Sequence, residues 1–279
     1  RKLSYLRRLP LLLFGLGFYL TVSATVSAQD GPVSQEGKFI PKEISGVDEG
    51  TPTGWHPMLK GSANFSVSHN SKVVGTPDGT NLNFGFLIVG ALDYLGPERQ
   101  HEWSNDLNWQ LGFAKTPLID KVFKNLDGFD FNSVYLYHLK SLPWFGPFAS
   151  FQLKTVIFSS YAIFAEDKEV IRYRQDETAE IVDLNGNPVP VTIAAKSKIE
   201  LTDGFSPLSL RESLGVFAKP LDKEVIKLDI RAGWGFWETF VRDGYSIVDA
   251  GATPLELRPM VDVVEMGPEL KIAANGNIN

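Results

Sequence analysis

The chain contains no cysteine, and it has only three methionines and four histidines. The missing cysteine excludes disulfides, thiolate metal sites and cysteine nucleophiles. An exported chain without disulfides needs another source of rigidity, which a closed ladder of backbone hydrogen bonds supplies. Long apolar runs are absent too. Beyond the first thirty residues none reaches the roughly 18 residues that mark a membrane helix, so a helical inner-membrane bundle is excluded. A basic surplus is also lacking: 27 Lys and Arg face 33 Asp and Glu, a formal net charge of −6. That balance argues against nucleic acid as a partner.

Aromatic and turn-forming residues are plentiful. Nineteen Phe, eight Tyr and six Trp accompany 25 Gly and 17 Pro in 279 residues. Aromatic side chains favour strands and membrane interfaces, and the Gly and Pro load suggests many turns. The length suits one large domain or two small ones.

Residues 1–28 read as a signal peptide. Arg1, Lys2, Arg7 and Arg8 form a basic start, an apolar run extends from Leu9 to about Val22, and Val26-Ser27-Ala28 offers a small-residue cleavage site before Gln29. Cleavage removes four basic residues and takes the net charge from −6 to −10. Residues 29–54, rich in Gly, Pro, Ser, Glu and Lys without sustained period, read as a flexible periplasmic tail.

From Met58 onward the dominant period is two. Trp103, Leu107, Trp109, Leu111 and Phe113 alternate with Glu102, Ser104, Asp106, Asn108 and Gln110. Phe129, Phe131, Tyr135 and Tyr137 oppose Asp130, Asn132 and His138; Ile226, Leu228, Ile230, Ala232, Trp234 and Phe236 oppose Lys227, Asp229 and Arg231. Successive strand residues point to opposite faces, so each segment has one apolar and one polar face. Similar patterning marks 59–69, 82–94, 148–161 and 208–219, and more weakly 263–275, which contains Pro268. Eight strands result.

Long connections at 70–80, 114–128, 162–207 and 241–261 alternate with short ones at 95–100, 141–147 and 219–223. Outer-membrane barrels have that asymmetry, with short periplasmic turns and long external loops. The expected fold is therefore all-β: an antiparallel up-and-down transmembrane β-barrel over residues 55–279, with 162–207 as a long external loop. Two aromatic girdles are expected, with Tyr94, Trp103, Tyr137 and Phe151 at the periplasmic ends. Phe84, Phe113, Phe129, Phe131, Tyr161, Trp234 and Phe236 belong to the outer ends. The closing Gly276-Asn277-Ile278-Asn279 lacks the terminal aromatic usual in such barrels. Further C-terminal strands are expected, in a barrel of ten or more.

Several phrases carry a family resemblance: Gly54-Trp55, Asn64-Phe65-Ser66, His101 to Leu107, Lys121 to Asp127, and Gly146-Pro147-Phe148-Ala149 followed by Leu153 and Thr155. Over roughly residues 54–160 the chain resembles a family of outer-membrane β-barrels of unassigned function that begin with a Gly-Trp motif. The resemblance implies the barrel fold and outer-membrane placement, and no catalytic assignment.

The chemistry-bearing residues form no catalytic or metal motif. None of His56, His69, His101 and His138 stands in an H-x-x-x-H spacing. Asp183 to Asn187 opens like a calcium loop, but Pro188 occupies the sharp-turn Gly position and Ala194 the bidentate Glu position; a hairpin turn is the better reading. Ser133, His138 and Asn132 have no G-x-S-x-G elbow around them. No enzyme, cofactor or metal site is expected. The site candidates are the polar-face charges Asp106, Lys154, Arg211, Lys227, Asp229 and Arg231. They either pair as a plug in a narrow lumen or line a hydrated channel in a wide one. Expected partners are outer-membrane lipid, the barrel-assembly machinery, and small solutes or an external ligand at 162–207. The alternatives are a structural barrel with a plugged lumen and a soluble exported lipid- or ligand-binding barrel.

Overall fold

The computed structural model describes residues 51–72, 74, 77–222 and 226–276, which contain strands and no helix. The expected leader 1–28 and most of the tail 29–54 lie outside the described residues. Eight long strands form one antiparallel sheet: β1 (Gly54–Asn70), β2 (Gly79–Leu95), β3 (His101–Lys115), β4 (Phe123–Tyr137), β5 (Phe145–Thr155), β10 (Leu208–Asp222), β11 (Ile226–Phe240) and β14 (Val263–Gly276). Each pairs with the next long strand in the order β1-β2-β3-β4-β5-β10-β11-β14. At 11 to 17 residues each is long enough for a tilted membrane crossing of about 9–11 residues.

Prolines fall where the ladder asks nothing of them, since proline has no N–H to give. Pro57 and Pro268 lie on the outer strands β1 and β14, and Pro220 lies in the irregularity of β10 between Ala218 and Leu221. Pro147 pairs with Val216 of β10 and precedes the stretch of β5 that pairs with β4.

The alternation holds in register across the sheet. One face carries Phe84, Phe113, Trp109, Phe129, Leu107, Phe131 and Leu153 in opposed pairs; the other carries Asn108, Asp130, Lys154 and Ser209. The apolar face is the exposed one, with Leu214, Met266 and Leu270 each more than 60% accessible. Buried side chains concentrate on the polar face, where Phe217 is fully enclosed and Ser213, Leu136, Glu102 and Arg231 are nearly so. This inverts the pattern of a soluble sheet, whose apolar face covers a core.

The sheet does not close. No described residue of β1 pairs with β14, so the all-β antiparallel sheet of the expectation is present and a closed barrel is not formed by these eight strands. Its curvature is concentrated between β3 and β14, where polar-face side chains reach one another across two or three strands (Glu102 to Lys219, Ser213 to Glu269). β1 is exposed along most of its length on both faces and is drawn into none of these contacts.

The fifth strand ends at Thr155, six residues short of the expected Tyr161. The chain turns there because the Asp127 carboxylate accepts the N–H groups of Ile157 and Phe158, at 3.1 and 2.8 Å. Tyr161 lies in β6 (Ser160–Ile163) and accepts a hydrogen bond from the Lys124 N–H, so it belongs to no girdle. Phe131 and Phe151, expected in opposite girdles, pack with ring centroids 6.4 Å apart.

The long loops fold together. β6, β7 (Lys168–Arg172), β8 (Val191–Ile193) and β9 (Lys198–Thr202) from 156–207 join β12 (Tyr245–Ile247) and β13 (Leu255–Pro259) from 241–262. They form a four-stranded sheet β12-β13-β7-β8 and the pair β6-β9. Between them Ala162, Phe164, Val170, Ile199, Leu255 and Leu257 make a core, so the two loops constitute one cap at the end of the sheet opposite the short turns. The expected hairpin is its outer part: the Val189 N–H donates to the Ile181 carbonyl and the Asp183 N–H to the Asn187 carbonyl.

Leu257 is fully enclosed in this core. Leu257→Ala should destabilise the cap by about 2–5 kcal/mol and leave the long strands intact. Limited proteolysis should then cut within 156–207 while the far-ultraviolet strand signal persists.

Candidate functional site

All six candidate charges lie on the polar face, and three ion pairs join most of them to neighbours. Arg231 meets Asp229 at 3.2 Å, Arg211 meets Glu269 at 3.1 Å, and Lys154 approaches Asp130 at 3.9 Å. Asp106 stands directly opposite Asn132, and Lys227 opposite Asn275. Glu269 is a hub. It also accepts from Lys271 at 2.6 Å and from the Ser213 hydroxyl at 2.7 Å. The Ser213 contact passes over Gly235, where an added Cβ would stand 2.8 Å from the Glu269 carboxylate.

Near the short-turn end the polar face is filled. Leu136, Val134, Phe148 and Phe217 form a buried cluster. Phe148 stands opposite Gly215, which itself faces Gly233; a Cβ on either glycine would meet the partner backbone within 2.3 Å. The paired glycines leave space over the sheet, and the Arg231 guanidinium reaches to 5.7 Å from the Phe148 ring. A second group closes the edge of the cluster. Lys219 of β10 donates to both oxygens of Glu102 on β3, at 3.2 and 2.9 Å, and His138 contacts the same carboxylate at 3.0 Å. The His138 ring packs edge-on to Phe217 at 4.8 Å. Together these residues make a floor across the curved face.

Sequence reading missed this floor, although it left a signal. Leu136, Phe148 and Phe217 are large apolar residues that break the alternation near the same ends of their strands. Partnership of Glu102, His138 and Lys219 left none, because 36 and 117 residues separate them. The other histidines do not converge: His56 contacts the Pro52 carbonyl, His69 the Thr80 hydroxyl and His101 the Tyr135 hydroxyl. Ser133 is engaged elsewhere, donating to Asn105 and accepting from the Trp103 indole.

Above the floor the face is a trough. In register, Asp106, Asn132, Gln152, Arg211, Trp237 and Glu265 form one row across six strands. Beside it, on the loop-end side, run Asn108, Asp130, Lys154, Ser209 and Thr239. Acceptors, donors and neutral amides all occur across it.

In the cap, Asp183 accepts from the backbone and side-chain nitrogens of Asn187 and from the Asn185 N–H, which together hold its carboxyl below the usual range. Tyr245 donates to Glu180; burial and that carboxylate push its hydroxyl up.

No protein family, characterised protein or solved structure matches the chain.

Lys219→Ala leaves the buried Glu102 carboxylate without its ammonium partner and should cost about 3–5 kcal/mol. Lys154→Ala, at a longer and half-exposed pair, should cost under about 1 kcal/mol; equilibrium urea unfolding compares the two. The lowered Asp183 carboxyl stabilises the hairpin turn above the ordinary carboxylate range, and that contribution disappears as pH falls through the lowered value. The protection of the Asn185 and Asn187 amides, taken relative to their intrinsic exchange rates, should therefore fall in acid, at pH values where Asp183→Asn shows no further change.

Proposed function

We propose that this chain is a non-enzymatic outer-membrane β-barrel protein with a lumen sealed at its short-turn, periplasmic end, and that it presents the folded cap outside the cell. The carrying observation is the inversion of the two faces: the apolar face is open and the polar face packs on itself. Lipid is the medium that an exposed band of Leu, Phe and Trp side chains requires, and interior polarity is the rule in such barrels. Polar groups on the apolar face support this reading where they satisfy one another. Asn105 donates to the Leu92 carbonyl and accepts from Ser133, which in turn accepts from Trp103. Two carboxylates, Glu212 and Glu238, also fall on this face, towards the loop end of β10 and β11; acidic groups cost less there than basic ones at mid-bilayer. An unpaired edge group in lipid costs several kcal/mol, so the reading requires β1 and β14 to gain strand partners, from each other or from further strands.

The floor separates this reading from a through-channel. A channel needs a hydrated path, and Phe217, Phe148 and Leu136 fill the space that such a path would use. The protein therefore acts as a membrane-held cup and cap rather than as a pore. In planar lipid bilayers the wild type should show no steady conductance, whereas Phe148→Gly combined with Phe217→Gly should open one. Steady wild-type conductance equal to that of the double variant would refute the sealed lumen.

A further inference from the structure

Trp237 breaks the alternation without joining the floor. It lies on the polar face of β11, whereas Trp234 and Phe236 of the same strand lie on the apolar face. The floor aromatics are buried; Trp237 is 47% exposed. A half-exposed indole on a hydrated face gains little from packing and costs solvation, so its position calls for another explanation. It is also held in place. The Arg211 guanidinium stands 5.6 Å from its ring, Glu269 fixes Arg211, and Ser213 and Lys271 fix Glu269. The platform is preorganised.

Its surroundings define what such a platform takes. Gln152, Asn132 and Asp106 continue the Trp237 row across successive strands, spaced at about 4.8 Å. Along the curved backbone the six-strand row follows an arc of about 24 Å, on the scale of a short glycan chain. Pyranose rings have a C–H face that stacks on an indole and a rim of hydroxyls that both donate and accept. Amides and carboxylates at regular spacing match that rim. The charges disfavour an anionic ligand: Arg211 and Lys271 already engage Glu269, and Asp106 and Glu265 stand at the two ends of the row.

We propose that the trough above the floor binds a neutral oligosaccharide, with one ring stacked on Trp237 and its neighbours hydrogen-bonded to Gln152, Asn132 and Asp106. This deepens the cup reading but stands on the trough itself, whatever medium covers the opposite face.

The test is calorimetric titration of the full chain, in a zwitterionic detergent without a sugar headgroup, with maltohexaose, cellohexaose and chitohexaose, and with hexagalacturonate as the anionic comparison. At least one neutral hexasaccharide should bind saturably and more tightly than hexagalacturonate. Trp237→Ala should weaken that binding about tenfold, the scale of one lost aromatic contact. Trp237→Phe should largely preserve it, and Trp234→Ala, on the opposite face, should leave it unchanged. If Trp237→Ala does not fold, the pair Asn132→Leu and Gln152→Leu replaces it and should weaken binding likewise. Absence of binding by all three neutral sugars, equal binding of hexagalacturonate, or unaltered binding in the trough variants would overturn the proposal. Each of these outcomes is independent of whether the apolar face meets lipid or the floor is sealed.

Discussion

Lys219 and Glu102 belong to strands three positions apart in the sheet, yet their side chains meet at 2.9 Å. In a flat sheet those strand axes would be about 14 Å apart, with side chains standing parallel to one another. The contact therefore requires the sheet to curl towards its polar face, and the rest of the structure depends on that curl. It brings Phe217 and Phe148 together, places Arg231 over the Phe148 ring and lets Ser213 reach Glu269 two strands away. Burial on the concave side leaves the convex side with the apolar residues. A soluble protein would curl the other way and cover them.

Small residues make the curl sterically feasible. Gly215 and Gly233 face each other where larger side chains would strike the opposing backbone, and Gly235 leaves the path by which Glu269 reaches Ser213. Ionic groups on the concave side then need partners, because charges removed from water are stable only when paired. Arg231 with Asp229, and Lys219 with Glu102, meet that need within the floor. Higher in the trough the side chains are more exposed and the pairs looser, as at Lys154 and Asp130. The tightly paired charges thus serve the structure, while Trp237 on the same face stays half exposed.

The long strands were legible because period-two alternation is a local signal, and even Pro268 in β14 fits once that strand is seen to lie at an edge. Their pairing order followed from the alternation of long and short connections. The end of β5 was not legible: Phe151 to Tyr161 alternates well, and only the distant Asp127 diverts the chain after Thr155. Strands of three to five residues carry too few positions to show a period, which hid the cap. Its core joins Val170 and Ile199 to Leu255 and Leu257, some fifty to ninety residues further on. The six candidate charges share the polar face, but the carboxylate that joins several basic groups there, Glu269, sits beside Pro268 in the segment with the weakest pattern. How the two outer strands are completed was not legible, since no local pattern states whether two distant edges meet.

The central claim is that the two faces of this sheet meet opposite media, lipid outside and water within. Trp234 and Trp237 test it most directly, because they lie three residues apart on opposite faces of β11 and are 48% and 47% exposed. Two variants, each retaining one of these tryptophans as the sole fluorophore, would be reconstituted in vesicles containing bromine-labelled acyl chains. The account predicts strong quenching of Trp234 by the brominated chains and its protection from aqueous iodide, with the reverse for Trp237. Equal quenching of both by lipid, or free access of iodide to Trp234, would contradict it.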